Sequence, residues 1–410
     1  MLRWVIFLLI FIIIDVYAFQ AFRTVSKTIW LNVVYWVITL LVVGNLIYQF
    51  YGLTRKDFGN PQAFAFGFFL AILIPKVIIL GIMFAEDIFR VPQAAFRYFT
   101  EGSNADVKYL PSRRAFISKI ALGIAAIPFG AVLYGMYRGK YNFKVLNYTL
   151  TFEDLPEAFD GYKLTQISDV HSGSFDNIEK VEYAINLINE QKSDVILFTG
   201  DMVNNETKEM LPYVDIFKKL KAKDGMYSVL GNHDYGDYLR WESAEAKAQN
   251  LEDLKDLQKQ IGFDLLLNES RYVEKNGEKI ALIGVENWGA GGFKKAGDLK
   301  KASEKVDKND FKILLSHDPS HWEKQVIHDD YHYHLTLSGH THGMQFGVEI
   351  PGLFKWSPVK WRYKYWAGIY KELGQYINVN RGFGYLGFPG RVGIWPEITV
   401  IELKKGSHNA

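Results

Sequence analysis

Apolar residues run almost unbroken through the first third of this chain, and only later do they alternate with polar ones at the periods of strands and amphipathic helices. Four runs stand out: Trp4 to Phe22, Ile29 to Phe50, Ala63 to Ala85 and Ile120 to Tyr137, the last drawn as a helix from residue 118. At about 1.5 Å rise per residue, each can cross a hydrocarbon layer roughly 30 Å thick. Buried helices of a water-soluble domain would carry a polar face, which these runs lack. Gly123, Pro128 and Gly130 in the fourth run are of the kind membrane helices tolerate. Two charges, Asp15 and Lys76, interrupt the first and third runs, which cross in the same direction. They would lie at similar depth and pair, or else Lys76 would snorkel to an interface and Asp15 face a polar gap.

After a basic linker, Arg138 to Lys144, the period changes. Tyr162 to Asp169, Asp194 to Thr199 and Gly225 to Leu230 read as strands, separated by helices over Asn177 to Glu190 and Thr207 to Leu220. Arg271 to Lys275 and Glu278 to Val285 form a hairpin through Asn276-Gly277. Phe311 to Ser316, Tyr333 to Ser338, Gln375 to Val379 and Ile398 to Leu403 are further strands. The expected architecture is a transmembrane region of four helices over residues 1–140, then an α/β domain over 141–410.

Composition narrows the chemistry. Lys+Arg 47 against Asp+Glu 45 leaves a charge of +2, too balanced for a protein that neutralises nucleic-acid phosphates, so no nucleic acid is expected as a partner. There is no cysteine, which excludes disulfides, thiolate nucleophiles and thiolate-held metals. Any metal must be held by histidine, carboxylate and amide oxygen.

Such residues collect just past strand ends, where open α/β sheets bind ligands. The blocks are Asp169-Val170-His171, Gly200-Asp201, Gly231-Asn232-His233-Asp234, Ser316-His317-Asp318 and Gly339-His340-Thr341-His342-Gly343, and they hold five of the ten histidines. Carboxylates and imidazoles crowded this way destabilise one another unless cations compensate, and a metal pair is the economical compensation. Asp169 with His171, and His340 with His342, each put two donors on one side of an extended segment. Asp201 is suited to bridging two cations, and Asn232 offers a neutral oxygen.

These five ordered blocks resemble the calcineurin-like metallophosphoesterases, whose signature of D-x-H, GD, GNH-D/E, H and GH-x-H they match over roughly residues 146 to 403. The resemblance implies a two-sheet α/β sandwich and a binuclear centre. Asp169, His171, Asp201 and His342 would hold one ion, and Asp201, Asn232, His317 and His340 the second. His233 would lie by the scissile phosphate, stabilising charge or protonating the leaving oxygen, and Asp234 would hold its tautomer. Two divalent ions about 3.5 to 4 Å apart share a water, lower its pKa and direct the hydroxide at phosphorus, which supplies a nucleophile without Ser or Cys. Mn²⁺ is the expected ion, with Fe, Zn and Mg as alternatives.

The membrane-anchored architecture resembles a bacterial branch with a twin-arginine or membrane anchor, described as phosphodiesterases and related to enzymes that cleave UDP-2,3-diacylglucosamine in lipid A assembly. The pair Arg113-Arg114 before the fourth span resembles a twin-arginine signal and equally a positive flank. Counting Arg23, Lys27, Arg90, Arg97, Lys108, Arg113 and Arg114 as inside, against Arg3, Arg55, Lys56, Arg138 and Lys140, puts the C-terminal domain outside the cytoplasm at the bacterial inner membrane. A lipid-linked or envelope phosphoester is then the expected substrate. The lipid A precursor is the alternative for a cytoplasmic domain, and a non-catalytic binding or scaffold module a further one. Cations interleaved with rings from Phe354 to Trp366 suit a headgroup layer, with core packing of some rings as the alternative. Arg381 and Arg391 are candidates for substrate phosphate or for surface salt bridges, and Gly284 to Gly292 with Trp288 for a loop over the cleft.

Overall fold

The computed structural model describes residues 2–51, 59–101, 111–350 and 352–406. They form two compact units, the first ending at Met136 and the second running from Tyr137.

The first unit consists of α1 (Leu2–Val25), α2 (Ile29–Phe50), α3 (Asn60–Glu101) and α4 (Pro111–Tyr137). Among the described residues these are four helices long and apolar enough to cross a membrane. The two interrupting charges meet: Lys76 Nζ lies 2.7 Å from Asp15 Oδ1 and donates to Thr39 Oγ1, while the Tyr35 hydroxyl donates to the same carboxylate. Satisfying every member of the buried group offsets its desolvation cost. The third helix extends well past Ala85, and its continuation brings Glu86 and Asp87 to Arg114, at 3.3 and 2.9 Å. One arginine of the Arg113-Arg114 pair is thus engaged within the bundle. Of the basic residues counted for orientation, Arg55, Lys56 and Lys108 lie outside the described residues.

The second unit holds β1 (Lys144–Phe152), β2 (Lys163–Ile167), β3 (Val195–Phe198), β4 (Met226–Ser228), β5 (Phe263–Leu265), β6 (Glu269–Lys275), β7 (Glu278–Val285), β8 (Lys312–Ser316), β9 (Leu335–Ser338), β10 (Val348–Ile350), β11 (Phe354–Trp356), β12 (Gly368–Glu372), β13 (Gln375–Val379) and β14 (Glu397–Lys405). One six-stranded sheet runs β1-β14-β2-β3-β4-β5, a second runs β12-β13-β9-β8-β7-β6, and β10 and β11 form a two-stranded sheet. Both large sheets are mixed, parallel at their centres with an antiparallel strand inserted or at an edge.

The sheets stack face to face. Leu164, Val195 and Leu197 of one share a core with Ile313, Leu315 and Leu335 of the other. The alternate residues Ile196 and Phe198 face helices α5 (Ile178–Glu190), α6 (Val214–Phe217) and α7 (Ala244–Ile261) on the outer side. Strands buried on both faces read as continuous apolar runs, which is why β3 shows no polar position. Buried Gln166 donates to the Ser338 carbonyl and accepts from Asn378, which ties the sheets together near the ends that carry the charged blocks.

Several expectations are corrected. Thr207 to Leu220 is not one helix but two 3₁₀ turns and the single turn of α6, because Glu206 and Glu209 cap a turn at its start and Pro212, at the head of the second, lacks the N–H that would carry a helix through from the first. Helix α7 spans a stretch whose low hydropathy conceals its apolar stripe, and its ends are marked by a Ser243 cap and by Gly262 at φ 112°. The basic linker ends in structure, since Lys140 is buried against Asp176 and Lys144 opens β1.

Candidate metal centre

The blocks that follow β2, β3, β4, β8 and β9 converge at one end of the two sheets. Asp169, His171 and His342 offer ligand atoms within 4.8 Å of one another, and Asp201, His317 and His340 form a second such group. Asp201 Oδ2 lies between the groups, 3.6 Å from His171 Nε2 and 3.1 Å from His317 Nε2. His342 Nε2 is 3.1 Å from Asp169 Oδ1 and 3.0 Å from His171 Nε2. The Asn232 side chain donates to the Tyr238 hydroxyl at 2.8 Å, while its buried Oδ1 has no hydrogen-bond partner.

The backbone is bent to make this convergence. Asp169, His171, Asp201, His340 and His342 all have φ between 47° and 70°, a left-handed region that side chains with a Cβ seldom occupy. Such strain persists only where its surroundings enforce it. Two glycines show the enforcement: a Cβ on Gly231 would sit 2.2 Å from Asp201 Oδ1, and one on Gly339 2.2 Å from Asp169 Oδ2. The glycines of the motif therefore stand where one loop crosses another at the carboxylates.

The donor set fits divalent cations. Burial disfavours charge throughout, pushing His340 down to about 4 and lowering His171. At His317 burial acts the same way, but the carboxylates of Asp201 and Asp169 together with the Thr199 carbonyl outweigh it, raising the imidazole to about 10. Packed carboxylates, imidazoles and an orphaned amide oxygen leave electron pairs with no protein donor, the complement of a nitrogen- and oxygen-coordinated ion. Part of the outer support is also in place, since the Thr199 carbonyl holds His317 Nδ1 at 2.7 Å.

His233 Nδ1 is held 2.8 Å from the Asn204 carbonyl. Asp234 does not touch that ring, contrary to the sequence expectation. Its carboxylate accepts backbone N–H groups from Asp201, Met202 and Gly231 at 2.8–2.9 Å, pinning the two loops, and burial with the neighbouring Asp201 charge raises it to about 7. A carboxylate two loops can share is more useful buried beneath them than beside a ring already held by a carbonyl.

Arg381 and Arg391 are also corrected, being buried rather than exposed to a phosphate or in surface salt bridges. Arg381 pairs with Glu349 and Glu397, each at 2.5 Å. Arg391 donates to the Gly382 and Gly384 carbonyls and lies 3.3 Å from His342 Nδ1, so it braces the loop behind that imidazole.

Sequence reasoning missed the groups around the centre. Tyr363 OH lies 2.9 Å from His340 Nε2, Phe293 meets the same imidazole edge-on, and the Tyr238 ring packs 4.4 Å from that of His233. Exposed Arg362 lies over both Phe293 and Tyr363, at 5.1 and 5.4 Å. Only the ring-and-cation stretch pointed to any of them, and it divides in the structure: Tyr363, Tyr365 and Trp366 are buried, while Phe354 and Trp361 are exposed. Trp288 turns away from the ligands to stack on His321, and Phe293 just beyond it reaches His340 instead.

A mixed two-sheet sandwich with carboxylates, imidazoles and an amide converging at its strand ends, on a chain with membrane helices, defines a membrane-associated, metal-dependent phosphoester hydrolase. Residues 162–344 match the family described as "Calcineurin-like phosphoesterase", and residues 2–140 match "Probable Calcineurin-like phosphoesterase, transmembrane domain". The chain is 31% identical over 299 residues to the metallophosphoesterase YkuE of Bacillus subtilis, covering 72% of this chain and 98% of that one. It is 29% identical to the phosphodiesterase YaeI of Escherichia coli, over 71% of this chain and 99% of that one. A transmembrane protein with metallophosphoesterase domain from Danio rerio is 28% identical, over 70% of this chain and 62% of that one. The chain belongs to the calcineurin-like phosphoesterase family.

Proposed function

We propose that the centre holds two divalent cations, Mn²⁺ foremost, and hydrolyses a phosphodiester borne by a lipid or envelope molecule on the extracytoplasmic side of a bacterial inner membrane. The position of Asp201 Oδ2 between His171 Nε2 and His317 Nε2 carries the binuclear reading, because one carboxylate there serves both ligand groups. In this reading Asp169, His171, Asp201 and His342 surround one ion, and Asp201, Asn232, His317 and His340 the other. Ions held there supply Lewis acidity, lowering the pKa of water toward neutrality and neutralising charge on phosphoryl oxygens. The name of the Escherichia coli relative favours a diester.

The protein groups do the rest. With Nδ1–H of His233 donated to the Asn204 carbonyl, Nε2 is the nitrogen left for the substrate, and in the imidazolium form it would give its proton to the leaving oxygen. Arg362, exposed beside Phe293 and Tyr363, offers the cation that Arg381 and Arg391 cannot.

Hydrolysis of a chromogenic phosphodiester tests the reading. Chelation should remove turnover and Mn²⁺ restore most of it, with two metal equivalents by elemental analysis. His233→Ala should retain both equivalents while kcat falls by roughly 10²- to 10⁴-fold. Full turnover by metal-free protein would refute the proposal. Protease accessibility of the second unit in intact cells tests the side of the membrane.

A further inference from the structure

The hairpin of β10 and β11 is inverted with respect to water. Register pairs Val348 with Trp356 and Ile350 with Phe354 on one face, and Glu349 with Lys355 on the other. On the polar face Glu349 is half-buried and pairs with Arg381, while Lys355, itself exposed, reaches back so that its Nζ donates to the Ala367 carbonyl and the Tyr370 hydroxyl. The apolar face turns outward, with Val348 and Ile350 each 50% exposed and Phe354 52%, extended by Leu353 at 80% and Trp361 at 75%. Trp361 meets Trp356 edge-on, which joins the hairpin and the following turn into one patch. Scattered exposed apolar residues are ordinary, but a contiguous patch on a strand pair whose charged side chains are engaged by the body of the unit marks a surface that is covered in use.

We infer that this face beds into the bilayer and sets the mouth of the metal centre against the headgroup layer, so that the substrate is the phosphodiester of a membrane lipid. The inference rests on the hydrolytic reading above and narrows its substrate. Two observations select a bilayer over a protein partner. Lys360 and Arg362 flank the patch, exposed and without a carboxylate partner among the described residues, as suits anionic headgroups around an apolar, Trp-bearing wedge. The same chain also carries four membrane helices, so a bilayer is the apolar phase it meets at high effective concentration. The patch is fixed to the site. Ser357 Oγ donates to the Gly343 carbonyl, Thr341 Oγ1 to the Trp366 carbonyl, and Tyr363 meets His340, so the segment after the hairpin is fastened to the His340–His342 loop at three points.

Because the chain has no cysteine, a single introduced thiol reports one position. Full-length L353C, spin-labelled in vesicles of phosphatidylethanolamine and phosphatidylglycerol, should be more accessible to oxygen than to a water-soluble nickel chelate. L211C, at a residue 61% exposed in another part of the same unit, should show the reverse. A water-accessible label at position 353 would overturn the inference, and so would strong label-to-label coupling, which would assign the face to a second copy. In the L353E/F354E variant, turnover of a vesicle-borne phosphodiester relative to a soluble chromogenic one should fall roughly tenfold. An unchanged ratio would also refute it. Turnover of the soluble ester keeps the two readings apart: its absence in the unsubstituted protein counts against hydrolysis itself, and its retention in the variant confirms an intact fold.

Discussion

Replacing Asp201 by alanine is expected to lower kcat by roughly 10³-fold or more, the scale at which an electrostatic centre fails when a principal charge is removed. Asp201 is the carboxylate within 3.6 Å of both His171 and His317, and its other oxygen accepts the His233 backbone N–H at 2.8 Å. Truncation therefore removes the proposed shared ligand and loosens the loop that carries Asn232 and His233. Elemental analysis should show fewer than two metal equivalents. Full dimetal occupancy in the variant would contradict the assignment of Asp201 as the shared ligand.

Arg381→Ala is expected to destabilise the second unit by about 3–5 kcal/mol, the usual result of breaking a buried ion pair from one side. Its guanidinium contacts Glu397 and Glu349, and Glu397 is fully buried, so truncation strands a carboxylate in a medium that solvates it poorly. A fall in melting temperature on the order of 10 °C should follow. Glu372→Ala, which breaks the exposed pair with Lys364, should cost no more than about 1 kcal/mol. Equal effects from the two substitutions would show that Arg381 is not the buried counter-charge described here.

The strands that build the sandwich were legible because their signal is local. β3, β7, β8 and β13 are short apolar runs bounded by turn residues, and they fall where the period places them. α7 and the broken segment after Glu206 were not. In α7 the apolar stripe is thin and the rest of the helix is charged, and in the segment a cap and a proline override the helical period.

The candidate site divides the same way. Its donors could be named from order and spacing, since chains that place Asp, His and Asn after successive strands bring them to one sheet edge. Their outer contacts could not. That Asn204 rather than Asp234 holds His233, that Tyr363 reaches His340, and that Arg381 and Arg391 serve the protein are facts about loops crossing in space. The inverted hairpin is a further case. Alternation separates Glu349 and Lys355 from the apolar positions around them, but only the partners Arg381 and Tyr370 show that these charges are engaged by the rest of the unit while Val348, Ile350 and Phe354 stay bare.

By itself, then, the order of residues determined the membrane helices, the α/β class and the candidate donors, all of which follow from period, length and residue chemistry within short windows, while the two-sheet sandwich came only with the resemblance of the five blocks. The tertiary structure alone decided which arginine meets solvent, which carbonyl holds the histidine and which face of the hairpin is bare, because burial and pairing depend on neighbours far away along the chain.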